Sequence, residues 1–359
     1  MPTGTLIAPT RPSTFDPIED ATRRQFITGV GAAALAAAFL AACGSDDDPA
    51  EEDAATGEAG WPVTIGHAFG ETTIEAEPKR VVTVGFTDHD ILLALGVVPV
   101  GLRDWYGDYP MGVWPWAQDA LGDAAPTKLT GELDFEGIAT LKPDLILGLY
   151  VGLTEDEYTT LAGIAPTVAQ SGDHPSYGTP WQEMTRTAAQ AVGRTAEADR
   201  LIAAVDDQIA RVREEHPEFE GLELVYAGMA EGEQYYVETA SSTRVAILTS
   251  LGFVVPEEIN ALATDSFYVP ISPEQIKLLD RDVIFWELGA AEGMRPVIEA
   301  NPLYQSLDAA HEGRAVFVDD PVTAGALAHA DVLSIPFFLD TIVPRLVAAI
   351  DGDPATPSD

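Results

Sequence analysis

The side chains in this sequence that are best suited to chemistry point to ligand binding and not to covalent catalysis. Arg103 and Arg244 fall near the expected carboxyl ends of strands, where parallel α/β units hold their ligands. The guanidinium fork suits hydroxamate, catecholate or carboxylate oxygens, although either arginine could instead form a surface ion pair. The sequence contains no nucleophile elbow, HExxH, P-loop or GxGxxG motif after a strand, so we expect a protein that is not an enzyme. A lipoprotein esterase or phosphodiesterase is the enzyme alternative.

Large aromatic residues are concentrated in the same loops. Such residues often cap a core, but this concentration fits a bulky, partly apolar ligand such as a metal chelate. The aromatic candidates for a ligand cleft are Trp105, Tyr106, Trp114, Tyr150, Tyr235, Tyr236, Tyr268 and Trp286.

The histidines argue against a metal site. All six are scattered, with no pair at i,i+4, so several distant residues would have to converge on one ion. His89 directly follows the first expected strand and is interpreted as a solvated first-turn residue. We therefore expect no intrinsic cofactor and no metal, although a cleft Tyr or His could still ligate haem iron.

The N-terminus has the features of an export signal that ends in a lipid anchor. The sequence Thr22-Arg23-Arg24-Gln25-Phe26-Ile27 resembles a twin-arginine signal, and an apolar run over residues 29–42 follows it. That run is shorter than the roughly 20 residues that a membrane-spanning helix needs. It ends at Leu40-Ala41-Ala42-Cys43, which resembles a lipobox in which Cys43 is acylated. Residues 1–42 are thus expected to be a signal peptide, and the acidic residues 43–60 a flexible tether.

The charge of the chain restricts its partners. With 58 acidic and 19 basic residues among 359, the formal net charge is -39. Such a field repels phosphate backbones and anionic lipid, so we expect no nucleic-acid binding and membrane contact only through the anchor. A neutral or cationic ligand fits this charge more easily than a strongly anionic one.

The rest of the chain repeats one α/β pattern. Glu136, Ile138, Leu141, Asp144 and Ile146 have the same spacing as Glu274, Ile276, Leu279, Asp282 and Ile284. Each set predicts a short helix, with Asp134 or Ser272 as its N-cap, followed by a buried strand. Strands that alternate with helices imply parallel sheets. We therefore predict two α/β lobes, at residues 61–194 and 217–359.

One long helix should join the lobes. Residues 195–216 lack Gly and Pro until Pro217, and apolar residues recur at helical spacing over Thr195–Glu215. About 21 residues would form a rod of roughly 32 Å, which is long enough to bridge two lobes.

The chain resembles the substrate-binding proteins of ABC importers for ferric siderophores, haem and cobalamin. The resemblance covers nearly all of residues 61–350 and is most specific in three stretches, which are Pro78–Val82, Asp134–Ile146 and Leu333–Asp340. It implies two Rossmann-like lobes joined by a single long helix, with the ligand in the cleft between them. The implied ligand is an iron-siderophore complex, with haem or cobalamin as the alternative. A sensor or adhesion lipoprotein that uses the same fold is a further alternative.

The resemblance also implies how the protein meets its transporter. Members of the family dock on a permease dimer, with its ATPase subunits, through one exposed glutamate in each lobe. The matching positions are Glu136 and Glu274, although an acid in a first helical turn could merely complement the helix dipole. We expect a monomeric lipoprotein on the extracytoplasmic face of the cell membrane.

Overall fold

A computed structural model describes residues 60–230, 234–263, 266–289, 293–351, 353 and 356. The predicted twin-arginine signal, the lipobox at Cys43 and nearly all of the tether lie outside these residues. Within the described ranges, no helix has both the length and the apolar character needed to cross a bilayer.

Strands and helices alternate along most of the chain. The strands are β1 (Val63–His67), β2 (Gly70–Ile74), β3 (Val81–Thr83), β4 (Gly101–Arg103), β5 (Thr127–Leu129), β6 (Leu145–Gly148), β7 (Thr167–Ala169), β8 (Leu224–Ala230), β9 (Gln234–Glu238), β10 (Tyr268–Ile271), β11 (Val283–Glu287) and β12 (Ala315–Val318). The α-helices are α1 (Asp88–Ala94), α2 (Gln118–Leu121), α3 (Phe135–Thr140), α4 (Glu155–Ala162), α5 (Trp181–Val192), α6 (Thr195–Glu215), α7 (Thr243–Ser250), α8 (Glu257–Asn260), α9 (Met294–Ala300), α10 (Asp308–His311), α11 (Pro321–His329) and α12 (Ser334–Ile350). Short 3-10 helices cover Pro110–Gly112, Pro115–Ala117, Pro217–Phe219, Pro273–Leu279 and Tyr304–Ser306.

The first lobe contains a five-stranded sheet in the order β5-β4-β3-β6-β7, with every neighbouring pair parallel. Its central strands are apolar because helices cover both faces. In β6, Leu145 and Leu147 pack with residues of α1 and α5, whereas Ile146 faces the opposite way and packs with Ile138 of α3. The antiparallel pair β1–β2 forms a separate small sheet.

The second lobe contains a sheet in the order β10-β9-β8-β11-β12. Strands β8, β11 and β12 are parallel, as predicted, but β9 runs antiparallel to both β8 and β10. Strand β9 follows β8 after only a few residues, which is too short a connection for a parallel crossover. The hairpin therefore adds an antiparallel edge to the parallel core of this lobe.

The predicted joining helix is confirmed as α6, which spans Thr195–Glu215. Ala198, Ile202 and Val205 are its buried residues, and it packs against α5 and α12. The helix ends at His216, because the following Pro217 cannot continue it and starts a 3-10 turn.

The repeat has a structural explanation at its aspartates. The Asp144 carboxylate accepts hydrogen bonds from the backbone N–H groups of Lys79 and Arg80, each at 2.8 Å. In the second lobe, Asp282 accepts one from the N–H of Glu223 at 2.8 Å. Asp144 precedes β6, which pairs with β3, and Asp282 precedes β11, which pairs with β8. Each carboxylate therefore accepts hydrogen bonds from backbone N–H groups just before the neighbouring strand. The two helices differ, since Phe135–Thr140 is an α-helix and Pro273–Leu279 a 3-10 helix.

Candidate functional site

Residues from both lobes meet at one place, which we call the interlobe site. Its members are Arg103, Trp105, Tyr106 and Tyr150 from the first lobe and Tyr226, Tyr236, Glu238, Arg244 and Glu287 from the second. Tyr150 makes a side-chain hydrogen bond with Thr243, beside Arg244. The charge of Glu287 acts on the hydroxyl of Tyr106. Tyr106 and Tyr150 of the first lobe therefore meet Arg244 and Glu287 of the second, and Arg103 is linked to them through the rings of Phe86, Trp105 and Tyr150.

The guanidinium of Arg103 uses only part of its hydrogen-bonding capacity. Its Nε donates to the carbonyl of Gly131 at 3.2 Å, and its guanidinium lies 4.4 Å from the centre of the Phe86 ring. Trp105 stacks on the same ring at 5.2 Å. Burial lowers the pKa of Arg103, but the group stays a cation. Within the described ranges its terminal nitrogens make no hydrogen bond, so they can donate to an oxygen-rich ligand.

Arg244 is instead bound to a buried acid. Its Nη1 lies 2.9 Å from Oε1 of Glu238, which is 1% exposed. Burial alone would lower the pKa of Arg244, but the charges of Glu238 and other nearby acidic groups outweigh it and raise the pKa. Arg244 therefore does form an ion pair, but the pair is largely enclosed and does not lie on the surface.

A second acid, Glu287, balances the charge of the site. Burial raises its pKa, and Arg244 opposes that rise. One carboxylate oxygen accepts from the N–H of Gly289 at 3.0 Å, and the hydroxyl of Tyr226 lies 3.4 Å from the other. Glu238 and Glu287 thus offset the charge of Arg244, and the charges of Glu157 and Glu132 act on Arg103.

Tyrosine hydroxyls supply the neutral donors. Burial raises the pKa of Tyr106, Tyr150 and Tyr236, so each remains protonated at neutral pH. The Tyr236 ring lies over Gly228, where an added Cβ would stand 2.2 Å from ring atoms. Tyr268 flanks Tyr236, with ring centres 4.6 Å apart. The absence of a side chain at Gly228 therefore allows Tyr236 to lie flat against β8.

Three of the predicted aromatics belong to the core and present almost no surface to a ligand. Trp286 and Tyr235 are 0% and 3% exposed and pack on the face of the second sheet that carries Ile284. Strand residues alternate between faces, so Trp286 points away from its neighbour Glu287. Trp114 is 1% exposed and lies against Gly325 of α11. All three are core side chains here, and their contact with a ligand stays a prediction.

Sequence reasoning missed Glu238, Glu287, Tyr226 and Phe86. Glu238 and Glu287 are the last residues of β9 and β11, and Phe86 follows β3 closely. Candidates were taken from the loops, so these positions at or near strand ends were missed. The signal that could have found them is an acid on the last residue of an apolar strand.

The two glutamates of the repeat lie on the surface. Glu136 and Glu274 are both exposed, at the second residue of equivalent helices. The neighbouring Ile138 and Ile276 are each 1% exposed and anchor those helices. The repeated apolar and aspartate positions therefore have structural roles, whereas the glutamates project into solvent.

A buried polar cluster lies beside the interlobe site and contains His89, Asp90, His329 and Asp331. His89 is 1% exposed, so its interpretation as a solvated residue is wrong. The rings of Trp105, Trp114 and Trp116 approach His329 with centres 5.4, 5.3 and 4.9 Å away. Burial lowers the pKa of His329 and raises that of Asp331.

The chain matches the model of a known protein family and is similar to several known proteins. The family model described as periplasmic binding protein matches residues 81–322. A Bacillus subtilis (strain 168) protein named "Probable siderophore-binding lipoprotein YfiY" is 30% identical over 83% of this chain and 93% of its own. A periplasmic solute binding protein from Mycobacterium smegmatis is 36% identical with a TM-score of 0.71, covering 80% of this chain and 99% of its own. Streptococcus pneumoniae PiaA in complex with ferrichrome is 28% identical with a TM-score of 0.70, and the match covers 81% of this chain and 99% of PiaA.

Proposed function

Because the chain belongs to the periplasmic binding protein family, we propose that it captures an iron-siderophore complex and delivers it to the permease of an ABC importer. The observation that carries this proposal is the interlobe site, where Arg244 of the second lobe lies among tyrosine hydroxyls of both lobes and Arg103 of the first lobe lies beside the Phe86 ring. Ferric chelates present a shell of oxygen atoms around the metal, which arginine and tyrosine donors recognise. The name of the Bacillus relative and the ferrichrome complex of PiaA support the same class of ligand.

The charge of the site favours a neutral or cationic chelate. Acidic side chains offset each arginine, Glu238 and Glu287 near Arg244 and Glu157 and Glu132 near Arg103. The site therefore lacks the excess of positive charge that a multiply anionic catecholate needs. A ferric hydroxamate presents oxygens to the arginines and carries little charge of its own. We therefore propose a hydroxamate as the ligand, in preference to a catecholate, haem or cobalamin.

Equilibrium titration of tryptophan fluorescence tests this choice of ligand. We expect ferrichrome or ferrioxamine B to quench the protein with micromolar or tighter affinity, and haem and cobalamin to bind less well. Arg103→Ala should weaken hydroxamate binding by about 1 kcal/mol or more, as for a lost charge-assisted hydrogen bond. Tight haem binding without any response to siderophores would overturn the choice of ligand.

The permease contacts proposed here are Glu136 and Glu274. Both carboxylates are exposed at equivalent positions of the two lobes. An exposed acid can pair with an arginine on a partner without loss of a buried contact in the free protein. The dipole alternative gives each glutamate only a local effect on its own helix. It does not account for the same acid at the same exposed place in both lobes.

The final part of the proposal concerns attachment to the cell. We place the mature protein on the extracytoplasmic face, exported by the twin-arginine route and held by acylated Cys43. Cys43→Ser should release a folded protein from the membrane fraction, as seen by fractionation and immunoblotting. Recovery of the unaltered protein as a wholly soluble, non-acylated species by mass spectrometry would refute the anchor.

A further inference from the structure

Three buried ligand-type groups converge where the lobes meet. Asp90 comes from α1 of the first lobe, and His329 and Asp331 come from the end of α11 in the second. All three are at most 1% exposed, and one donor atom of each lies within 4.8 Å of the others. Nδ1 of His329 is 3.1 Å from Oδ2 of Asp90 and 3.8 Å from Oδ2 of Asp331. The three form what we call the lobe-junction cluster.

The cluster is oriented by groups around it. Oδ1 of Asp331 accepts hydrogen bonds from the N–H groups of Leu333 and Ser334, at 2.8 and 3.0 Å. Trp116 Nε1 donates to Oδ2 of Asp90 at 2.7 Å. Such supporting bonds fix the direction of carboxylates that ligate metals.

Several polar atoms of the cluster remain unsatisfied. Among the described residues, Oδ2 of Asp331 and Oδ1 of Asp90 have no hydrogen-bond partner, although both are buried. Both ring nitrogens of the adjacent His89 are also buried without one. Buried polar atoms are nearly always paired, so each of these needs an explanation. Two buried carboxylates further require compensation of their charge, either by a cation or by a shared proton.

We propose that Asp90, His329 and Asp331 bind a divalent transition-metal cation, such as Zn²⁺, that links the two lobes. Ligand atoms about 2.0–2.2 Å from a tetrahedral zinc ion stand roughly 3.3–3.6 Å apart, and the observed separations of 3.1 and 3.8 Å lie on either side of that value. A cation would pair the free Oδ2 of Asp331 and supply the missing charge, while Nδ1 of His329 and Oδ2 of Asp90 would exchange their present hydrogen bond for bonds to the metal. His89, whose Nε2 is 3.4 Å from Oδ1 of Asp90, adjoins the cluster with a further nitrogen donor.

The donor set selects among metals. Mg²⁺ and Ca²⁺ prefer oxygen ligands alone, and Mg²⁺ retains several waters. An imidazole with two carboxylates, surrounded by tryptophan rings, instead suits Zn²⁺, Mn²⁺ or Fe²⁺. The proposed ion is distinct from the iron of the cargo, because its ligands are buried behind Trp105 and Trp116.

Thermal unfolding with added Zn²⁺ or Mn²⁺ tests the site. Chelator-treated protein should gain about 2 °C in Tm for each tenfold rise of the free metal concentration above Kd. Elemental analysis after dialysis should find one ion per chain. His329→Gln should abolish both effects, whereas the control His311→Gln, at an exposed histidine, should leave them unchanged.

Two results would overturn the proposal. One is a wild-type protein whose Tm does not respond to either metal, which would leave a proton shared by the two aspartates as the compensating charge. In that case Asp331→Asn should be at least as stable as wild type without metal. The other is metal binding that His329→Gln does not reduce, which would assign the ion to the acidic surface. Wild-type titration needs no variant, so a poorly folding substitution does not obscure the result.

Discussion

Arg244→Met should destabilise the protein much more than a typical lost side-chain hydrogen bond. The guanidinium is the partner of Glu238, whose carboxylate is 1% exposed. Removing one member of a buried ion pair costs about 3–5 kcal/mol, because the other charge stays buried and unpaired. The Arg244 side chain is 24% exposed and Ser242 also donates to Glu238, so we expect the lower end, about 3 kcal/mol.

Urea unfolding followed by circular dichroism measures this loss. The double variant Glu238→Gln with Arg244→Met removes the unpaired charge and should recover most of the stability. Arg103→Met is the matched control, since Arg103 donates to the neutral carbonyl of Gly131 and its loss should cost about 1 kcal/mol. Both single variants should bind a ferric hydroxamate more weakly. An Arg244→Met protein within about 0.5 kcal/mol of wild type would refute the buried-pair reasoning.

Three further predictions concern packing and motion. Asp88→Ala should lower the free energy of unfolding by about 2–4 kcal/mol, because Asp88 accepts hydrogen bonds from the N–H groups of Leu149 and Tyr150 at 2.8 and 3.0 Å. Urea unfolding measures this loss, and a change below about 1 kcal/mol would contradict the prediction. Gly325→Ala places a Cβ 2.3 Å from the Trp114 ring, so it should cost about 1–3 kcal/mol and shift tryptophan fluorescence, and an unchanged spectrum and stability would count against this packing. The continuous joining helix predicts only a small lobe rotation on ligand binding, so X-ray scattering curves with and without ferrichrome should nearly coincide.

Local signals in the sequence were enough to predict the architecture. The absence of Gly and Pro over Thr195–Glu215, followed by Pro217, predicts both ends of α6 correctly. The Thr154 and Glu157 capping box likewise marks the start of α4. Strand ends were less exact. The apolar residues from Val98 onward predict a strand over residues 98–103, whereas β4 begins at Gly101, because Pro99 has no N–H to donate to a sheet.

The composition of the site could be predicted only in part. The residues at or beside the interlobe site are Arg103, Trp105, Tyr106, Tyr150, Tyr236, Arg244 and Tyr268, and most of them lie at or shortly after the end of a strand. Which face a strand residue occupies depends on register, and the register of β9 and β11 places Tyr235 and Trp286 in the core. The pairing of Arg244 with Glu238 and the burial of His89 depend on contacts between distant segments, which residue spacing does not encode.

Radio-iron uptake by cells that carry charge-reversed docking residues tests the transport role most directly. The variant is Glu136→Arg with Glu274→Arg, compared with wild type and with each single change. Both positions are exposed, so stability should stay within about 0.5 kcal/mol of wild type, and ferrichrome affinity should be unchanged. Uptake of the ferric hydroxamate should nevertheless be abolished, because like charges would meet at the permease. Normal uptake by the double variant would contradict docking through these glutamates, and lost ligand binding would instead assign them to the cleft.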